Sequence, residues 1–160
     1  MRKIIGLFYV FISCCSYAVS QNQLPILNGI LEDTDLNQFQ YWTNQALEGA
    51  DAVFSIETND LVRGSNKALK SQINEIGPNG WHVSSISEYP FQVIAGEKYT
   101  VTFYAKVEGA DSRQMKLVFQ SEVSGSYQGQ NIWITNEWKR YTHTFTVEHS
   151  SDLNRVRFWY

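Results

Sequence analysis

Cysteine is nearly missing from this 160-residue chain: there are two, Cys14 and Cys15, both before residue 20. Disulfides therefore cannot staple the remainder, which must be held by a packed core. Histidine is scarce as well. His82, His143 and His149 lie far apart with no HxH or HxxxH spacing, which excludes a Cys/His zinc site. His143 shares its parity with Tyr141, Phe145 and Val147, which makes it a structural residue. Excess positive charge is absent, with 13 Lys and Arg against 16 Asp and Glu, so no basic nucleic-acid footprint exists. GxSxG, the P-loop and HExxH are all absent. Glu122 and Glu137 could hydrolyse a glycoside only if held about 5–9 Å apart, and acids near strand ends are usually solvated.

Long apolar runs are missing too. The one short run, Ile4–Ile12, follows Arg2 and Lys3 and precedes Ala18-Val19-Ser20, the pattern of a secretory leader. It is too short to cross a bilayer of about 30 Å as a helix. The pattern predicts a signal peptide over residues 1–20, cleavage before Gln21, and a single exported domain over 21–160. Phe11-Ile12-Ser13 fits a lipobox poorly, which favours a secreted or surface protein without a lipid anchor. Without Arg2 and Lys3 the balance is 11 basic against 16 acidic residues, a formal charge of −5.

What the chain does have is alternation. In Ile94–Lys106, Tyr99, Val101, Phe103 and Ala105 fall on one face and Thr100, Thr102, Tyr104 and Lys106 on the other. Ala52–Thr58, Met115–Ser121, Asn131–Thr135, Trp138–Val147 and Asn154–Tyr160 alternate in the same way. Leu27–Glu32 reads as a brief first strand, and Lys67–Ile76 as a strand whose composition would also suit a helix. Asp33–Gln45 reads as polar and irregular, Gly77-Pro78-Asn79-Gly80 as a loop, and Ser124–Asn131 as a glycine-rich loop. About eight or nine short strands with no convincing amphipathic helix predict an all-β fold, a two-sheet antiparallel β-sandwich of jelly-roll, galactose-binding-domain-like type.

Aromatic residues make up 14 % of the chain, with five Trp and nine Tyr. Several point away from the predicted core. Tyr104 opposes Val101 and Phe103, and Trp133 opposes Ile132 and Ile134. Arg155, Arg157 and Trp159 oppose Val156 and Phe158, while Lys116, Val118 and Gln120 oppose Leu117 and Phe119. Trp, Tyr, Gln and Arg on an exposed sheet suit a polysaccharide. The flat C–H face of a pyranose stacks on an aromatic ring, and amides and guanidinium groups bind its hydroxyls. Taken singly, each ring could equally lie under a loop or cover a sheet edge.

Certain stretches, in order, resemble the jelly-roll carbohydrate-binding modules of families 4, 9 and 22. They are Asn28-Gly29-Ile30-Leu31-Glu32, Trp42, Ser65–Lys70, Trp81 after the glycine-rich loop, Ala95–Lys106, Glu137–Tyr141 and Phe145–Val147. The resemblance runs from Leu27 to Tyr160. It implies a monomeric, non-catalytic module that grips xylan, cellulose or mixed-linkage β-glucan and accompanies a glycoside hydrolase. It also implies that Trp81 flanks the cleft, that Tyr104 and Gln120 line it, and that Tyr127 stands in a wall loop. Arg157 and Trp159 join them as ligand-binding candidates from the outward alternation. A structural calcium near the first strand, with Glu32 as a ligand, is implied as well. Modules of this type close with a GxYxxDDV-like strand, and the sequence ends before one, so the last strand is expected to be missing. Two other readings stay open: the leading fragment of a xylanase or glucanase, and an adhesion or structural β-sandwich that binds protein.

Overall fold

The computed structural model describes residues 6–11, 41–88, 90–122 and 127–160, with backbone only for 6–11 and Tyr127. Among the described residues eleven strands run in chain order: β1 (Gly6–Phe11), β2 (Trp42–Ala46), β3 (Asp51–Glu57), β4 (Ala68–Glu75), β5 (Val83–Ser87), β6 (Phe91–Val93), β7 (Lys98–Glu108), β8 (Ser112–Ser121), β9 (Tyr127–Thr135), β10 (Lys139–Thr146) and β11 (Ser151–Trp159). A 3₁₀ turn, Gly80–His82, leads into β5. Two antiparallel sheets result. One has the order β10-β7-β1-β4-β3, and the other β2-β5-β11-β8-β9 with β6 paired to the start of β11. The predicted all-β sandwich is what forms.

Period-two alternation explains why the sheets face each other. From β7, Val101, Phe103, Ala105 and Val107 turn inward and are buried; from β8, Met115, Leu117 and Phe119 do the same. Phe103 of one sheet meets Phe158 of the other edge-on at 5.0 Å, and Phe119 meets Phe145 at 5.2 Å. Rings offset in this way gain beyond their buried area. Lys67–Ile76 is resolved as strand β4, because Leu69 and Ile73 turn to the core at strand spacing and are buried.

Some elements depart from the sequence reading. Trp42–Ala46, read as irregular, is strand β2: Trp42 is buried against Phe158, with ring centroids 6.1 Å apart. Tyr127 begins β9 and is not in a loop, because residues 127–130 continue the ladder with Leu117–Gln120. The apolar run read as a leader lies between β4 and β7 as β1, paired to both. Leu27–Glu32, with its calcium candidate Glu32, lies outside the described residues.

Inward and outward neighbours on β7 should differ sharply in cost. Phe103→Ala is expected to lower unfolding stability by about 3–5 kcal/mol, the usual loss for a fully buried ring. Tyr104→Ala, one residue on and on the opposite face, is expected to cost less than about 1 kcal/mol. Urea denaturation of both variants checks this.

Candidate carbohydrate-binding face

The registers of the six-stranded sheet fix which side chains share its outward face. Gln45, Ser84, Trp159, Lys116 and Asn131 form one row across β2, β5, β11, β8 and β9. The next row is Thr43, Ile86, Arg157, Val118 and Gly129. A third pairs Arg155 with Gln120. One step before the first row, Gln114 pairs with Trp133.

The middle row is the floor. Val118 and Ile86 are buried although they face outward, and Gly129 has no side chain at all. Longer residues flank them. A Cβ on Gly129 would lie 2.3 Å from Lys116 Cε, so the bare backbone there makes room for the lysine stem. Lys116 Nζ then sits 4.9 Å from the centre of the Trp159 ring, a cation–π contact. Trp133 is the most open large apolar residue among those described, at 62 % exposure. Trp133 and Trp159 are two strands and two residues apart, about 12 Å between Cα atoms by strand spacing. A short oligosaccharide spans that distance.

Ordering of the face comes from its margins. Gln45 Nε2 donates to Ser84 Oγ at 2.9 Å, and Ser85 Oγ donates to Asn44 Oδ1 at 2.6 Å, tying β2 to β5. Arg155 Nε donates to Glu122 at 2.6 Å, and its Nη1 reaches the carbonyls of Ser87 and Glu88, joining β8, β11 and the end of β5. Below the face, Tyr160 OH donates to Ser85 Oγ at 2.9 Å, and burial pushes its phenol up to about 12.

The predicted site residues fall in three places. Gln120, Arg157 and Trp159 share the outward face of the six-stranded sheet, and Tyr127 takes the register position opposite Gln120 on β9. Trp81 stands at the rim of that sheet, in the turn before β5, 37 % exposed and edge-on to the buried His82 ring at 4.1 Å. Gly77 allows this, because a Cβ there would meet His82 Nδ1 at 2.3 Å. Tyr104 does not join them. It pairs with Arg140 on the outward face of the five-stranded sheet, on the far side of the sandwich. Alternation gave its direction correctly, but periodicity carries no information about which sheet a strand enters. Trp133 and Lys116 are absent from the predicted site, although the same alternation turned both outward.

Two other candidates are excluded by geometry. Glu122 follows β8 directly, whereas Glu137 lies in the turn joined to its opposite end, where Ser112 pairs with Thr135. The ten residues of β8 span about 33 Å, far beyond a glycosidase pair. A small cavity lined by Phe119, Gln128, Val147 and Asn154 lies at the end of the sandwich, on the core side of β8, with room for little more than a water molecule. No three His, Cys, Asp or Glu residues gather as metal ligands among the described residues.

The family described as "carbohydrate binding domain", covering modules of families 4 and 9, matches residues 25–159. The chain belongs to that family. A solved structure described as "CBM4 structure and function" is similar to the module with a TM-score of 0.64 and 20 % identity, covering 84 % of this chain and 88 % of that one. At that identity the likeness concerns the fold. None of the curated proteins matches the module. Membership makes the chain a carbohydrate-binding domain by family. The match begins after β1, which is not part of the family's stretch.

Titration should report the buried phenol. A raised folded-state value means that Tyr160 contributes fully below pH 10 and that its contribution is lost as pH rises toward 12. Between those limits the module is expected to lose about 2–3 kcal/mol of stability, and the Tyr160→Phe variant to show a flatter profile. Chemical denaturation at stepped alkaline pH measures it.

Proposed function

We propose that the outward face of the six-stranded sheet binds β-linked plant-type polysaccharide, namely xylan, cellulose or mixed-linkage β-glucan, as a reversible contact made by a monomer. The observation that carries this reading is the open Trp133 ring on the same face as Trp159, with Gln114, Lys116 and Asn131 between them. Stacking on the indoles supplies affinity, and the amides supply hydrogen bonds to hydroxyls. In the full proposal the module is exported by the leader at residues 1–20 and holds an associated glycoside hydrolase near its substrate, raising effective concentration. Sequencing the N-terminus of the exported product tests the leader, with Gln21 expected first. A chain that keeps residues 1–20 would instead retain β1.

Native affinity electrophoresis in gels containing soluble xylan, barley β-glucan, hydroxyethyl-cellulose or mannan tests the binding reading. Retardation by one β-1,4-linked glycan is expected. Trp133→Ala and Trp159→Ala should each weaken it about thirtyfold, the usual loss of an aromatic anchor, and Tyr104→Ala should leave it unchanged. A folded sample that runs unretarded through all four gels would favour the protein-binding sandwich.

The resemblance's calcium is proposed as a structural ion with Glu32 as one ligand, and nothing in the binding face depends on it. A thermal midpoint that falls in EDTA and recovers with added calcium is the expected result. An unchanged midpoint would remove it.

A further inference from the structure

We infer that His82 is a positioning residue for glycan binding: with Glu48 it fixes the Trp81 indole at the rim as a further stacking surface. The inference rests on the binding reading above. His82 precedes Ser84 by the same two-residue step that separates Gln114 from Lys116 and Trp133 from Asn131. The Leu47 amide donates to the His82 carbonyl at 2.9 Å, carrying the β2–β5 ladder one step past Ala46 and Val83. Trp81–His82 and the Gln114–Trp133 pair therefore flank the same end of the face. Three strand spacings, about 14 Å, lie between β5 and β9.

Three features converge on the His82 ring. The ring is fully buried, and its Nδ1 has no hydrogen-bond partner, a cost that an apolar ring in its place would not carry. Its Nε2 lies 3.2 Å from Glu48 Oε2 and 3.3 Å from Asn79 Nδ2. Glu48 reaches it from the turn between β2 and β3 with φ at 51°, in a left-handed conformation that Asn or Gly would adopt with less strain. Neither would bring a carboxylate there. On the other side of the ring the bare backbone of Gly77 makes room for it, and the Asn79 carbonyl accepts the His82 amide at 3.1 Å. Trp81 is tied to this pinned ring by the shared backbone and by the edge-on contact at 4.1 Å. Ordering an exposed side chain costs free energy when a ligand stacks on it, and an indole held in advance avoids that cost.

Calorimetric titration of the full chain with β-1,4-linked hexasaccharides of xylose and of glucose tests this. Trp81→Ala is expected to weaken the tighter-bound hexasaccharide about tenfold. Glu48→Asn keeps a side chain suited to left-handed backbone and removes the contact with His82. It should weaken binding about three- to tenfold, leave the thermal midpoint unchanged, and move the Trp81 indole NMR signal before ligand is added. His82→Phe, which keeps a buried ring without Nε2, should match it in affinity. Glu48→Gln should restore binding, since its amide oxygen accepts from Nε2 as the carboxylate does. In the Trp81→Ala background Glu48→Asn should have no further effect. Additive losses in that background, or a Glu48→Asn chain that binds as tightly as the unaltered one, would overturn the positioning role. Weakening by Trp133→Ala beside an unchanged Trp81→Ala would also overturn it, and would leave the binding reading intact. A folded chain that binds neither hexasaccharide would overturn both.

Discussion

The contact between Phe103 and Phe158 is the one on which the rest of the structure depends. Each is fully buried and each comes from a different sheet, so their edge-on packing fixes the two sheets face to face. Trp42 and Tyr141 extend the cluster, at 6.1 Å from Phe158 and 5.5 Å from Phe103. A strand that puts one residue in this core must put its neighbours on the outside. Phe158 inward therefore makes Arg157 and Trp159 outward, and no choice remains. With no disulfide in the described residues' sequence to share the load, the aromatic core has to supply the stability.

The binding face follows from that constraint and from local devices that are unusual for an outer surface. Solvent-facing sheet positions normally carry residues whose heads reach water. Here Val118 is fully buried and Gln120 only 8 % exposed on the outward side. Gly129 lets Lys116 fold across its neighbour strand, and Lys116 in turn covers part of Trp159. The result is a low, ordered floor with raised aromatic and cationic borders. The opposite sheet shows what an ordinary outer face looks like. Thr100 pairs with Thr144 at 2.9 Å and Thr102 with Thr142 at 3.3 Å, as a ladder of mutually hydrogen-bonded hydroxyls. Beyond it, Lys106 is bound by Asp60 and Glu108, with Asp60 also accepting from Trp138 Nε1 at 3.1 Å. That cluster ties the loop after β3 to β7 and to the turn before β10.

Much of this was legible in the sequence, for a physical reason. Strands with one buried face must alternate, so β3, β7, β8, β10 and β11 announced themselves, and the directions of Tyr104, Gln120, Arg157 and Trp159 followed. β5 was weakly legible because all five of its residues are buried, leaving no solvent face to print a polar period. Its serines are tolerated because hydroxyls find partners: Ser87 Oγ accepts the Val156 amide at 3.0 Å, and Ser84 accepts from Gln45. β2 was hidden because a single large apolar residue, Trp42, carries its packing. The separation of Tyr104 from the other candidates could not be read, since strand order is set by contacts far apart in sequence. Residues 6–11 pair between β4 and β7, and an apolar run with a basic start suits a leader and a central strand alike.

The most direct test is an amide and indole NMR titration of the full chain with a β-1,4-linked hexasaccharide of xylose. Shifts are expected to concentrate at Gln114–Gln120, Gly129–Trp133 and Arg157–Trp159, with the Trp133 and Trp159 indole signals moving most. Shifts confined to Tyr104, Arg140 and the threonine ladder would place the ligand on the other sheet and contradict the proposed binding face.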